Sequence, residues 1–294
     1  MKQSTLKTIV IGLTIGVVVL ALIAGFWGVY RWASSLWAED PPPPPDTQCI
    51  AQLDSGRASL TIEQSRYASL FAGIAAQRGL APRAVSIAIT TAFQESDIRN
   101  LDYGDRDSIG LFQQRPSQGW GTVEQIMDPY YSTGKFLDEM VKVRDWQNSD
   151  IGDVAQAVQR SGFPDAYDKH VDRARLLASS LSGQTPASWS CIVYNPAPAN
   201  PELLVSSMTR AYGATVLAVT TPATSTERQY VTVTASTNEV AWSTGAFAQS
   251  WATETGVSRV TVGNYEWIAS ASTLSGWVGR TDSVESATTV IIYF

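Results

Sequence analysis

Histidine and cysteine are nearly missing: the chain holds one His and two Cys among 294 residues. Most zinc sites need four nitrogen or sulfur ligands or a histidine cluster, so that chemistry is excluded. Positive charge is also short. Lys and Arg total 21 against 27 Asp and Glu, a net charge of −6. A nucleic-acid binder shows a basic footprint, and none is available here. Charged residues make up only 16% of the chain and hydrophobic ones 44%. That excludes a disordered chain and leaves enough apolar material for a core. An enzyme of this composition has to work with carboxylates, hydroxyls, amides and aromatics, without a cofactor or a metal. The length is about twice that of a typical domain, so two domains plus connecting segments are expected.

One long apolar run is present. Residues 9–30 carry no charge and are rich in Val, Leu and Ile, long enough to cross a bilayer as a helix, which takes about 20 residues. Lys2 and Lys7 precede the run, while Glu39 and Asp40 lie beyond it. The positive-inside rule then puts residues 1–8 in the cytoplasm and the bulk of the chain outside, facing the cell wall, on a single-pass anchor. A cleaved signal peptide is the competing reading, but its apolar region is normally shorter, and no good small-x-small site lies between Tyr30 and Asp40. Trp27, Tyr30, Trp32 and Trp37 suit the outer membrane interface. Pro41 to Pro45 follow, within a spacer spanning 31–48. Consecutive prolines adopt polyproline II, which lifts a folded domain off a surface. Outside the membrane, Cys49 and Cys191 are expected to pair, with two free thiols as the alternative.

Residues 49–191 read as a mainly α-helical domain. Thr61-Ile62-Glu63-Gln64 has the form of a capping box. A helix follows with Tyr67, Leu70, Phe71 and Ile74 on one face and stops at Gly79. Pro82 opens a second helix through Val85, Ala88, Ile89, Ala92 and Phe93. Residues 100–121 are dense in Gly, Asp and Ser, which suits turns or a small β-hairpin. Helical patterns resume at 123–143, 151–160 and 166–181. A linker with a short helix covers 192–228. Beyond it a small α+β domain is expected over 229–294: a strand at 229–235, a helix face marked by Val240, Thr244, Phe247 and Trp251, a hairpin turning at Gly263-Asn264, and a last strand at 289–294.

Chemistry concentrates between Glu95 and Gln113. Glu95 ends the strip Ala84, Ala88, Thr91 on the second helix, beside its apolar face. A carboxyl placed there is half desolvated and meets the negative end of the helix dipole; both raise its pKa, as a general acid requires.

Gln94-Glu95-Ser96, followed fifteen residues after Glu95 by Gly110-Leu111-Phe112-Gln113, resembles the goose-type lysozyme and soluble lytic transglycosylase superfamily. In that family a catalytic Glu followed by Ser ends a helix, and a Gly-Leu-(Met/Phe)-Gln segment walls the glycan cleft. Asp128-Pro129, Gly134 and Phe136-Leu137 are similar to a further motif of the family, with Ser132 in place of its usual Asn. The resemblance covers about 61–181, and the run 100–120 is similar to an actinobacterial variant. The family's Ala-Tyr-Asn motif is absent; the nearest match is Ala157-Val158-Gln159, in which Gln159 replaces the amide. Tyr167 lies near the place of a cleft tyrosine. The resemblance implies Glu95 as catalytic acid, with Ser96, Gln113, Gln159 and Tyr167 binding substrate.

A glycosidase normally pairs two carboxylates, and Asp102, Asp105 and Asp107 are the candidates, Asp105 and Asp107 foremost. A lytic transglycosylase, as the resemblance implies, uses one. The aspartates otherwise serve turns around Gly104; a calcium loop lacks its closing acidic residue. His170, Trp120, Trp146, Arg106 and Arg115 are weaker candidates, each with an ordinary packing or ion-pairing role open to it. The function expected is a membrane-anchored extracellular enzyme cleaving the MurNAc-GlcNAc β-1,4 bond of peptidoglycan, with a 1,6-anhydro product favoured over hydrolysis. Its partners are then glycan strands, the membrane, and a protein docked on the C-terminal domain. A non-catalytic lysozyme-like wall-binding or partner-docking scaffold is the alternative.

Overall fold

The computed structural model describes residues 48–162, 164–214, 216–220, 223–224, 229–281 and 286–294, with Gly25, Trp27 and Gly28. The chain divides into Met1–Pro43 and Pro44–Phe294. Of the first unit, Gly25, Trp27 and Gly28 are helical, and Trp27 is exposed.

In the second unit, β1 (Gln48–Leu53) and β2 (Gly56–Thr61) form a hairpin closed by Asp54 and Ser55. β3 (Trp189–Cys191) adds to the other edge of β1, with Cys191 directly opposite Cys49. The two cysteines form the expected disulfide.

Thr61 then caps α1 (Ile62–Gln77): its side chain accepts from the Gln64 amide, and Gln64 returns the bond. α2 (Pro82–Ser96) starts on its proline and stops at Asp97, which takes the left-handed conformation. The helical pattern at 123–143 is broken into α3 (Val123–Met127) and α4 (Pro129–Met140). Asp128 causes the break, because its carboxylate caps the next helix, accepting from the Tyr130 amide at 2.9 Å. α5 (Ile151–Gln159) ends on left-handed Arg160, and two 3-10 turns at Pro164–Ala166 and Asp168–His170 lead into α6 (Val171–Leu181).

After α7 (Pro201–Tyr212) comes a second antiparallel sheet of seven strands. Its order is β4 (Leu217–Val219), β6 (Gln229–Ala235), β10 (Thr289–Tyr293), β7 (Arg259–Val262), β8 (Tyr265–Ile268), β9 (Val278–Gly279), with β5 (Ala223–Thr224) also on β6. α8 (Asn238–Ser250) lies against this sheet and against α1, and the short α9 (Ala252–Thr255) stops at Gly256. One hydrophobic core therefore runs through both the helical part and the sheet. Close approach explains Gly73 of α1: a Cβ there would meet Tyr212 of α7 at 2.9 Å.

The expected fold class needs correcting. Among the described residues no helix is long and apolar enough to cross a membrane, and the anchor expected over 9–30 lies, except for Gly25, Trp27 and Gly28, outside them, as does the proline spacer. The described residues also form two antiparallel sheets rather than one small hairpin beside an α+β module. Residues 100–121 form turns, a 3-10 turn at Pro116–Gln118 and an isolated bridge between Ile109 and Gln114, without a hairpin. Arg106 and Gln113, both left-handed, bend that segment too sharply for a ladder.

Candidate active site

The segment Gly110-Leu111-Phe112-Gln113 organises the site by plugging into the core. Leu111 and Phe112 are fully buried, and the Phe112 ring stacks on Phe136 at 4.4 Å and packs against Phe71 at 5.2 Å. The backbone so anchored presents its carbonyls to two helix ends. Ser96 Oγ donates to Leu111 O at 2.7 Å. Gln159 Nε2 donates to Phe112 O at 2.7 Å. The C-terminal ends of α2 and α5 are thereby held on one frame.

That frame carries Glu95, the half-buried penultimate residue of α2, on the wall of a cleft of about 840 Å³. Tyr167, between the two 3-10 turns and fully buried, donates its hydroxyl to Glu95 Oε1 at 2.5 Å. Burial pushes the Glu95 carboxyl above its ordinary pKa, and hydrogen bonds from Tyr167 and Gln159 only partly oppose the shift. Burial, and then the bond to Glu95, drive the Tyr167 phenol far up, so it stays a donor. A carboxyl of raised pKa on the wall of a polar cleft is equipped for general acid catalysis.

The other expected site residues divide. Gln113 and Gln159 line the cleft. Gln113 Nε2 donates to Tyr103 O at 3.2 Å, and a Cβ at Gly104 would lie 2.5 Å from the backbone carbonyl oxygen of Ser108, so that turn requires glycine. Ser96 and Tyr167 are buried behind the wall rather than on it; they position Glu95 and its neighbours instead of touching a ligand. Asp105 lines the cleft, its side chain 92% exposed and 3.9 Å from Arg106. Asp107 is engaged elsewhere: its oxygens accept from Arg115 Nε and the Ser117 amide, each at 2.8 Å. Hydrogen bonds from Ser117, then Arg115, hold its carboxyl well below the usual range. It clamps the loop.

Of the weaker candidates, Trp120, Arg106 and Arg115 line the cleft. Trp146 is a core residue, and His170 stacks on Phe93 with its Nε2 3.3 Å from Gln94 Oε1. Sequence reasoning missed Lys135, Glu139 and Lys142, which line the same cleft from α4 and the turn that follows it. Their signal was the i,i+4 and i,i+3 charge spacing around Glu139. Among the described residues no group of His, Cys, Asp and Glu converges to hold a metal ion.

No protein-family model matches the chain, and no curated protein matches it at a significant level.

Proposed function

We propose that the protein cleaves the glycan strands of peptidoglycan outside the cytoplasm, at the MurNAc-GlcNAc β-1,4 bond, with Glu95 as the acid. One observation carries this reading: a half-buried Glu of raised pKa, held by a buried tyrosine on the wall of an open, polar cleft. The lysozyme-like words around it in the sequence supply the substrate class, and the disulfide suits an oxidising compartment. In the step itself, Glu95 gives its proton to the bridging oxygen as the C1–O bond breaks. The resulting carboxylate takes the proton of the muramic 6-hydroxyl, whose oxygen closes on C1. Glu95 ends protonated, no water is consumed, and the product is a 1,6-anhydro ring.

A lone acid is favoured over an inverting pair because neither aspartate is a fixed base. Asp107 is bound on both oxygens, and Asp105 is largely solvated beside Arg106. Inversion needs a carboxylate held about 6.5–9.5 Å from the acid.

Glu95→Gln tests the reading. The near-isosteric amide removes the proton without opening a cavity, so wall digestion should fall about 10²–10⁴-fold while the fold persists. Digestion at the wild-type rate would remove Glu95 from the chemistry. Binding of wall by both proteins with digestion by neither would make the chain a scaffold instead.

A further inference from the structure

The chain is acidic overall, yet its cleft is cationic. Arg106, Arg115, Lys135, Lys142 and Arg160 line it against Glu95, Asp105 and Glu139. Two of these cations are balanced: Arg115 is ion-paired with Asp107 at 2.8 Å, and Arg106 lies 3.9 Å from Asp105. The rest are in excess. Lys135 and Lys142 share one carboxylate, Glu139, at 3.6 and 2.8 Å. Arg160, exposed at the left-handed end of α5, makes no ion pair among the described residues. Net positive charge thus collects on α4 and the α5 terminus, on walls of the cleft that Glu95 also lines.

A strand stripped of peptide offers these groups one lactyl carboxylate on each muramic residue, held close to the sugar ring. Where the muramic residue bears a stem peptide, that carboxyl is tied up as an amide and several peptide carboxylates lie further out, within reach of cations set along the cleft walls. We propose that the cleft takes peptide-bearing glycan strands in preference to stripped ones, with Lys135, Lys142 and Arg160 receiving peptide carboxylates. The inference rests on the glycan-cleaving reading for its substrate class. Charges of this exposure act over about 10 Å at 0.1 M salt, so the preference should be salt-sensitive.

The test uses the full chain carrying Glu95→Gln, so that bound wall is not digested. Purified walls, freed of phosphate-containing polymers by acid extraction and made soluble by an endopeptidase that cuts their cross-links, are compared with the same material after an amidase has removed the stem peptides. Calorimetric titration should show about tenfold tighter binding to the peptide-bearing material, the scale expected for a few exposed ion pairs. High salt should abolish the preference. So should adding Lys142→Ala and Arg160→Ala, both exposed positions whose loss leaves Lys135 on Glu139; a thermal melt checks that this variant folds. Equal binding to the two walls, binding to neither, or a preference untouched by salt or by the two substitutions would overturn the inference. Digestion by the wild-type chain is measured alongside. Both walls digested alike would overturn the inference and spare the reading of Glu95. A binding preference without digestion would do the reverse.

Discussion

Tyr167 and Tyr212 are both fully buried, and burial pushes both phenols well above their ordinary range, yet they belong to different kinds of network. Tyr212, in the carboxy-terminal part of the fold, pairs its hydroxyl with Ser243 of α8 at 2.7 Å. Two further buried bonds are closed within the protein in the same way: Trp189 Nε1 donates to Ser250 Oγ and Trp267 Nε1 to Ser190 Oγ, each at 3.1 Å. Tyr167 instead donates to a carboxylate whose pKa is raised and which borders solvent. A buried network closed on itself holds elements in register. One that ends on a displaced titratable group in a cleft prepares that group for chemistry.

The largest effect should come from the disulfide, which serves both parts. It closes a separation of 142 residues, and in the chain-entropy model its removal by Cys49→Ala with Cys191→Ala costs about 4–5 kcal/mol. Because one core joins the helices to the second sheet, calorimetry should record a single transition at lower temperature. Two resolved transitions would break the shared-core view.

Tyr167→Phe should cost about tenfold in turnover, the scale of one hydrogen bond to an ionisable group. Its signature is the pH profile. The phenol lowers the Glu95 pKa, so its loss raises that pKa further, and the basic limb of activity should move to higher pH. An unmoved limb would make Tyr167 a packing residue only.

The same shift has a stability consequence. A carboxyl whose folded pKa lies above its unfolded value contributes stability that is present below the unfolded pKa and lost as pH rises through the folded one. Glu95→Gln should therefore melt higher than the wild type at neutral pH and gain nothing in acid.

Tyr212→Phe should have the smallest effect, about 1 kcal/mol of stability for the bond to Ser243. Wall digestion and its pH profile should not change. A shifted profile would erase the distinction between the two tyrosines.

Local chemistry was legible in the sequence; long-range pairing was not. The capping box at Thr61 and Gln64, the proline starting α2, the strand at Gln229–Ala235 and the hairpin at Gly263-Asn264 all form where their residue types direct. The strands β1 and β2 went unread because their short alternation becomes informative only beside β3, far along the chain. α8 is buried nearly all round, so its sequence carries little sign of lying between α1 and a sheet. In the site, Glu95 was legible from its place at a helix end. Tyr167 was expected to touch substrate, but it lies behind the carboxylate, a relation set by the two 3-10 turns that precede α6. The lysines around Glu139 were passed over because a charge pattern on a helix ordinarily marks a solvated face.

Digestion of purified wall by the full chain in ¹⁸O-labelled water, read by mass spectrometry, bears most directly on Glu95 as a lone acid. The expected products are anhydro-ended fragments, one water lighter than their reducing counterparts and free of label, and their release should stop in Glu95→Gln. Labelled reducing ends would mean that water attacks the sugar and that a second group must activate it.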